Sequence, residues 1–306
     1  MTNALTTTTQ GPDPLALIAA SGRADSTKTQ YTRALAPFVE NGGNLADARA
    51  LQEYAGTLSN SRRAHLRSAV ALWSKETAKR IKAAVTPENV DQAQAALMRL
   101  EALPEAITVT GSKGTKSHTW LSGKQVKELM ATCGAGIVGW RDRVVLALLV
   151  GAGLRRSEAA GLTWDAVRYQ PIGDRMRTVL EIHGKGAKDR VVPISDKLAS
   201  ILDQWSTWTG GKEGRILRSL GMAQEIGDDL SAVQIFRIVR AHGEQIGVPT
   251  LAPHDCRRTF AQLGYDAGID IAQLSTLLGH ASIKTTQRYL NLDVDLDVTA
   301  SDFVPL

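Results

Sequence analysis

The chain has 306 residues, of which 43% are hydrophobic and 22% are charged, a composition typical of soluble globular proteins that excludes a disordered tail protein or a collagen-like repeat. Because hydrophobic cores stop growing at roughly 250–300 residues, the length favours two domains. The 36 Lys and Arg residues exceed the 31 Asp and Glu residues and give a net charge of +5, a modest basic excess that is compatible with nucleic acid as a partner.

The sequence carries no signal for membrane insertion or export. The apolar run at 144–153 is shorter than the ~20 residues that a membrane helix needs. The Thr-rich start, 1–10, lacks the basic and apolar regions of a signal peptide. Two cysteines, Cys133 and Cys256, are too few for a disulfide framework. We therefore expect a reduced, cytoplasmic protein without a membrane partner.

The first third of the chain is predicted to be helical. Residues 1–14, with repeated Thr and two prolines, are predicted to form a flexible arm. Apolar residues then recur at helical spacing from 15 to 103. Within this domain, residues 23–82 hold eleven basic against five acidic residues, so the positive charge of the chain is concentrated here.

The stretch 61–82, which contains a helical run at 64–81, is the most basic part of this domain. Its apolar stripe consists of Leu66, Ala69, Val70 and Trp73. The basic residues between them are candidates for contacts to DNA phosphates: Arg62, Arg63, Arg67, Lys75 and Lys79. A solvated helix face without any ligand has the same pattern, so both interpretations stay open at this point.

Three further segments complete the predicted organisation. Residues 104–119 are rich in Gly, Ser, Thr and Lys and are predicted to be an interdomain linker. A second domain is expected at 120–292, and 293–306 form a C-terminal tail with four acidic residues.

The second domain mixes helical and strand patterns. A capping-box spacing from Ser122 to Gln125 and the apolar segment 144–150 predict helices. Two β-branched runs, 178–183 and 190–194, flank a glycine-containing turn and predict an antiparallel hairpin. Ser195 and Ser231 are predicted to cap two further helices.

Four short segments of this domain concentrate cationic and titratable side chains. They are G-L-R-R-S-E at 153–158, G-K-G-A-K-D-R at 184–190, H-D-C-R-R-T-F-A at 254–261 and L-L-G-H-A-S-I-K-T-T-Q-R-Y at 277–289. Taken alone, each has an ordinary structural explanation: an ion pair within a helix, a lysine in a hairpin turn, a capped helix and a core aromatic.

Together, the segments supply arginines, a lysine, histidines and a tyrosine, with neither a carboxylate pair nor a Cys/His cluster. Such a set suits an anionic substrate whose transition state gathers negative charge. The sequence has no phosphate-binding G-x-x-x-x-G-K-[ST] loop and no acidic cage for magnesium. Phosphoryl chemistry here is therefore expected to use arginines, with no metal and no cofactor.

In order and spacing, the four segments resemble the catalytic boxes of the tyrosine recombinase (phage integrase) family, over roughly residues 120–290. The resemblance implies a mainly α protein. An all-helical core-binding domain at 15–103 would bind DNA, although it carries no diagnostic motif. A mixed α+β catalytic domain, with helices and a small antiparallel sheet, would follow it. The two domains would close on duplex DNA as a C-shaped clamp.

The resemblance also assigns residues to the scissile phosphate. Arg155 and Arg257 would hold its nonbridging oxygens with planar guanidinium forks, for which lysine is a poor replacement. His280 would donate a further hydrogen bond to the phosphate. Glu158, which matches the acidic position of the first box, would support the site.

The remaining matched residues would move protons and break the DNA strand. Tyr289 would be the nucleophile, and because a phenol has a pKa of ~10 it needs a base. His254 would accept its proton, and Lys185 would protonate the departing 5′ oxygen. The implied reaction cleaves and rejoins DNA through a 3′-phosphotyrosyl bond, which keeps the energy of the broken phosphodiester and so requires neither ATP nor a metal.

The resemblance extends to partners and assembly. It implies a two-domain enzyme of the Xer or Cre type that is a monomer when free and a homotetramer on two double-stranded DNA sites. The tail at 293–306 would dock on a neighbouring subunit, and the protein would be associated with the nucleoid.

Three positions depart from the commonest family pattern: Cys256, Arg258 and Arg156. All three lie outside the six positions to which the resemblance assigns catalysis: Arg155, Lys185, His254, Arg257, His280 and Tyr289.

Two other functions keep part of this pattern. A catalytically silent architectural or regulatory DNA-binding protein is disfavoured by the intact set of six. A topoisomerase-like nicking-closing enzyme, or a hairpin-forming telomere resolvase, is disfavoured by the compact size of the chain.

Overall fold

A computed structural model describes residues 11–110, 119–183, 189–280, 282–287 and 290. The chain divides into two compact units, Met1–Thr115 and Lys116–Leu306, and the division falls within the segment predicted to be a linker. Within the described ranges, no helix is both long enough and apolar enough to cross a lipid bilayer.

The first unit is helical throughout its described residues. Its elements are α1 (Pro14–Ala20), α2 (Asp25–Glu40), α3 (Ala48–Thr57), α4 (Asn60–Ala83) and α5 (Val90–Ala106). The long helix α4 packs against α2 and α5. Its predicted apolar stripe is buried, since Leu66 and Val70 are fully inaccessible and Trp73 nearly so. These side chains form one core with Leu35 of α2 and Leu100 of α5.

Both ends of this unit are held by hydrogen bonds. The Trp73 indole N–H donates to the carbonyl of Pro12 at 2.9 Å, and α1 begins at Pro14 with Asp13 as its N-cap. The segment predicted as an arm, 1–14, therefore overlaps the helical unit at its last residues. At the other end, Asn60 exchanges hydrogen bonds with the backbone of Thr110, so the unit reaches beyond residue 103.

The second unit combines helices with a small antiparallel sheet, as predicted, and the sheet has three strands. Its helices are α6 (Gly123–Ala131), α7 (Ile137–Gly151), α8 (Arg156–Gly161), α9 (Asp196–Thr209), α10 (Ala232–Gln245), α11 (Pro253–Asp266), α12 (Ile271–Leu278) and α13 (Ile283–Gln287). The strands are β1 (Val167–Ile172), β2 (Arg175–Ile182) and β3 (Arg190–Pro193). Helix α7 is central and packs against α9, α10 and α11.

The sequence patterns locate most of these elements. Ser122 and Gln125 form the predicted capping box of α6. The segment 144–150 lies in α7 with most of its side chains fully buried. The predicted hairpin is confirmed, because β2 and β3 pair in antiparallel register with Ile182 opposite Arg190. Strand β1 was not predicted, since it contains Pro171 and has no buried residue, and so lacks the apolar alternation of a half-buried strand.

A left-handed glycine connects α7 to the rest of the first of the four sequence segments, 153–158. Gly153 has a φ of +61°, and a Cβ on it would lie 2.6 Å from Cδ1 of Phe260 in α11. Its carbonyl accepts a hydrogen bond from Arg257 Nη1 at 2.7 Å. The chain can therefore turn here, close against α11, only because no side chain is present.

We expect Gly153→Ala to destabilise the protein more than Gly173→Ala, a matched control. Gly173 has nearly the same φ, +60°, but no atoms within 4 Å of its Cβ position, so alanine there costs only the left-handed strain of about 1–2 kcal/mol. Gly153→Ala adds a collision with Phe260. Denaturant midpoints of the two variants test this, and equal midpoints would contradict the packing explanation.

Candidate active site

The structure brings together the first, third and fourth sequence segments and one residue of the second. Arg155 is the N-cap of α8, His254 and Arg257 lie in the first turn and a half of α11, and His280 follows α12. Arg190 begins β3. Lys185 and Tyr289, the predicted general acid and nucleophile, lie outside the described residues.

Glu158 is the centre of the ion-pair network. Its side chain is 8% exposed. It accepts hydrogen bonds from the Arg155 backbone N–H at 2.8 Å and from Arg155 Nη1 at 2.7 Å. Both of its oxygens also accept from the Arg190 guanidinium, at 3.0 and 2.7 Å, and Arg257 Nη1 lies 3.8 Å away. One carboxylate therefore contacts all three arginines.

These contacts set the charge of the carboxylate. Burial by itself raises the pKa of Glu158, but the hydrogen bonds from Arg190 and Arg155 outweigh burial and lower this pKa to about 2. Glu158 is therefore ionised at neutral pH, in agreement with a supporting rather than a proton-transferring role.

Three consecutive carbonyls at the end of α12 hold the same three arginines. Arg190 Nε donates to the Leu277 carbonyl at 2.8 Å, Arg257 Nη2 donates to that of Leu278, and Arg155 Nη2 donates to that of Gly279 at 3.1 Å. The last carbonyls of a helix have no hydrogen-bond partner within the helix. The guanidinium groups donate to these carbonyls, and the same hydrogen bonds hold the guanidinium groups in place. The left-handed φ of Gly279, +62°, ends α12 here.

The two predicted phosphate ligands differ in exposure. The Arg155 side chain is 41% exposed, whereas that of Arg257 is 1% exposed. Both line an open cavity of about 440 Å³, together with His254, Pro253 and Phe236. Its cationic wall consists of Arg155, Arg156 and Arg257, and its apolar wall comes from α10 and the start of α11.

Both histidines are neutral at pH 7 in this environment. Partial burial and the positive charges of Arg258 and Arg257 lower the pKa of His254 below its ordinary value, although Asp255 opposes the shift. Burial, followed by Arg257 and Arg155, lowers the pKa of His280 to about 4. His280 Nδ1 lies 2.8 Å from the hydroxyl of Thr286, which is fully buried.

Two contributions to the site were missed by the sequence analysis. Arg190 was visible only as the last residue of the second segment, and nothing local indicates that its side chain is buried and paired with Glu158. Thr286 was visible only as a residue between His280 and Tyr289.

Cys256, one of the three departures from the commonest family pattern, is fully buried in the core, as a small apolar residue would be.

The candidate DNA contacts of α4 follow a row along the helix. Arg63, Arg67, Lys75 and Lys79 are spaced at multiples of four residues, with exposed Ala71 between them, so they form one ridge that winds around α4. Arg62 adjoins its start. Some of these groups also have protein partners: the Arg63 guanidinium donates to carbonyls at the end of α3, and Arg67 and Lys79 form ion pairs with Glu105 and Glu76.

A family model described as the phage integrase family matches residues 119–295. This range is more than half of the chain and contains every residue of the ion-pair network. The chain belongs to the phage integrase family. Its three-stranded sheet and surrounding helices are the family domain, and the helical first unit lies outside the matched range.

The chain is similar in sequence to proteins named as tyrosine recombinases. The chain is 35% identical to the tyrosine recombinase XerC of Pelobacter propionicus over 158 residues, which cover 51% of this chain and 49% of that protein. It is also 35% identical to the tyrosine recombinase XerA of Thermococcus kodakarensis over 156 residues, 51% of this chain and 52% of that one. The chain thus spans about half the length of the curated relatives it matches.

Solved structures extend the likeness to the fold of nearly the whole chain. The Tn1549 transposon integrase in complex with circular intermediate DNA matches with a TM-score of 0.59 and 17% identity, over 95% of this chain and 99% of that one. A lambda integrase dimer bound to a COC′ core site has the same TM-score and identity, over 90% and 74%. At such identities the likeness shows a shared fold.

We expect the His280 imidazole to titrate near pH 4. Because its folded pKa, about 4, lies below its ordinary value of 6.5, the unfolded chain binds more protons between these values. The contribution of neutral His280 to stability is therefore complete above pH 6.5 and is lost as the pH falls toward 4. NMR titration of its ring proton, assigned with a His280→Gln variant, measures the pKa. A midpoint at or above 6.5 would contradict the burial and charge argument.

Proposed function

We propose that this protein is a site-specific DNA recombinase that cleaves and rejoins duplex DNA through a 3′-phosphotyrosyl intermediate, in DNA integration, excision or resolution. The observation that carries the proposal is the convergence of Arg155, Arg257, His254 and His280 within an integrase-family domain. Two fixed guanidinium groups beside neutral imidazoles suit one phosphodiester with developing negative charge.

In this proposal, Arg155 and Arg257 bind the nonbridging oxygens of the scissile phosphate. Backbone carbonyls and Glu158 already hold both guanidinium groups in place. Little reorganisation is then needed when the pentacoordinate transition state forms, which is the condition for effective electrostatic stabilisation. His280 donates a further hydrogen bond to the phosphate.

Tyr289 is the proposed nucleophile. Its phenolic oxygen attacks phosphorus and forms a P–O bond, while the bond from phosphorus to the 5′ oxygen breaks. His254 accepts the phenolic proton, and its lowered pKa keeps the imidazole in the proton-accepting form at neutral pH. Lys185 gives a proton to the leaving 5′ oxygen. Rejoining is the reverse, with a 5′ hydroxyl attacking the phosphotyrosine.

The reaction needs neither ATP nor a metal in this scheme. The phosphotyrosyl bond conserves the free energy of the phosphodiester, and the arginines neutralise the charge that metal ions neutralise in other phosphoryl-transfer sites. No nucleotide or cofactor is required for either half of the reaction.

Double-stranded DNA is the proposed partner of both units. The Tn1549 integrase is described in complex with circular intermediate DNA and the lambda integrase dimer as bound to a COC′ core site, and the basic ridge on α4 would supply phosphate contacts. We assign 15–103 to the core-binding domain and 120–292 to the catalytic domain. The protein would be a monomer when free, form a homotetramer on two DNA sites through its tail at 293–306, and act at the nucleoid of the cytoplasm.

Tyr289→Phe should abolish covalent attachment to DNA and leave duplex binding unchanged, because only the nucleophilic oxygen is removed. Sequencing the DNA that flanks the gene identifies candidate inverted repeats, and the substrate is a duplex that carries them, nicked so that the 5′-hydroxyl fragment diffuses away and traps the intermediate. Adducts that survive denaturing electrophoresis measure cleavage, and mobility shifts measure binding.

The same assay separates the alternatives. A covalent adduct with Tyr289→Phe would overturn the nucleophile assignment. Wild-type protein that binds without any adduct would favour the catalytically silent DNA-binding protein. Relaxation of supercoiled plasmid without strand exchange between two sites would favour the nicking-closing enzyme.

Removing charge from the α4 ridge should weaken DNA binding and lower its salt dependence. The double variant Arg62→Gln/Lys75→Gln removes two exposed charges, so the slope of log affinity against log salt should fall by about 2, since each phosphate contact contributes ~0.9. The control, Lys28→Gln/Arg49→Gln, removes two charges from α2 and α3 of the same unit. Fluorescence anisotropy with a random-sequence duplex measures both, and equal slopes would count against the ridge.

A further inference from the structure

Arg190 is buried and paired with Glu158, and it has no role in the scheme above. Its side chain is 6% exposed. Its Nε donates to the Leu277 carbonyl at 2.8 Å, and Nη1 and Nη2 each donate to a different oxygen of Glu158. Such a two-point fork fixes a carboxylate in both position and orientation.

Glu158 in turn fixes Arg155. The Glu158 oxygens that Arg190 holds also accept from the backbone N–H and from Nη1 of Arg155. The other terminal nitrogen of Arg155 donates to the carbonyl of Gly279. The Arg190 side chain packs against that glycine, since a Cβ placed on Gly279 would lie 3.0 Å from Arg190 Cδ. Arg190 therefore lies against both groups that hold the Arg155 guanidinium, namely Glu158 and Gly279.

Charge leads to the same inference. If a buried carboxylate loses the cation that mainly balances its negative charge, that charge must be balanced by the nearest remaining cation. Without Arg190, those cations are Arg155 at 2.7 Å and Arg257 at 3.8 Å, both of which the scheme needs for the phosphate. With Arg190 in place, the negative charge of Glu158 is already matched, and the charges of Arg155 and Arg257 stay available to the cavity that both line.

We propose that Arg190 is a positioning residue for DNA strand cleavage, which acts through Glu158 to orient Arg155 and to reserve its charge for the scissile phosphate. This inference rests on the proposed function. It connects the first residue of β3 to Arg155 and Arg257, the proposed phosphate ligands at α8 and α11.

The test measures single-turnover adduct formation on the nicked duplex at saturating protein. Arg190→Gln should cleave ~10- to 100-fold more slowly, the usual loss when a supporting partner is removed, with DNA affinity within about twofold of wild type. Arg190→Lys should recover little, since an ammonium keeps the charge but lacks the fork. The control Arg177→Gln removes a β2 arginine that donates to the Ile194 carbonyl and should cleave at the wild-type rate.

A double-variant cycle distinguishes positioning from a general loss of structure. If Arg190 acts through Glu158, then Arg190→Gln/Glu158→Gln should be no slower than the slower single variant. If Arg190 only stabilises the fold, the two losses multiply, and that result would overturn the inference. Circular dichroism checks that each variant is folded. If Arg190→Gln is unfolded, the same double-variant cycle with Arg190→Lys in its place distinguishes positioning from stabilisation of the fold.

The remaining outcomes separate this inference from the proposed function. Wild-type protein that forms no adduct on any nicked duplex contradicts the recombinase activity itself, and the inference with it. Wild-type protein that forms the adduct, while Arg190→Gln and Arg190→Lys cleave within twofold of it, contradicts the inference alone.

Discussion

The site depends on one buried carboxylate shared among three arginines. Guanidinium groups from α8, α11 and β3 would repel one another at this distance, and burying them requires compensating charge and hydrogen bonds. Glu158 supplies the charge, and the carbonyls of Leu277, Leu278 and Gly279 supply acceptors. The arginines also satisfy the end of α12, so the same contacts stabilise the fold and prepare the site for an anion.

The electrostatic consequences are local. Burial lowers the pKa of both His254 and His280, and nearby arginines lower it further: first Arg258 and then Arg257 for His254, and first Arg257 and then Arg155 for His280. These imidazoles therefore stay neutral beside positive charge. A neutral imidazole accepts a proton or donates one hydrogen bond, and both are needed at a phosphate that is being attacked. In the first unit, positive charge is instead spread along the α4 ridge, where it suits a polymer of phosphates.

Much of the fold and site could be predicted from short-range patterns. Helical periodicity predicted the first unit, the capping box of Ser122 and the buried helix at 144–150 reflect local chemistry, and β-branched runs predicted the β2–β3 hairpin. Strand β1 was missed because a strand with Pro171 and no buried residue has no apolar alternation. Arg155, His254, Arg257 and His280 were found because their motifs are contiguous, and the structure places them around one cavity and helix end.

By itself, the sequence determined which residue types are present and in what order, and hence the family and the inventory of candidate groups. Only the tertiary structure decided which of them meet. Arg190 lies 32 residues from Glu158 and Leu277 lies 87 residues from Arg190, and no local periodicity relates positions so far apart. Burial, pairing and shifted pKa values arise from such long-range contacts, because they depend on the groups that folding brings near rather than on neighbours along the chain.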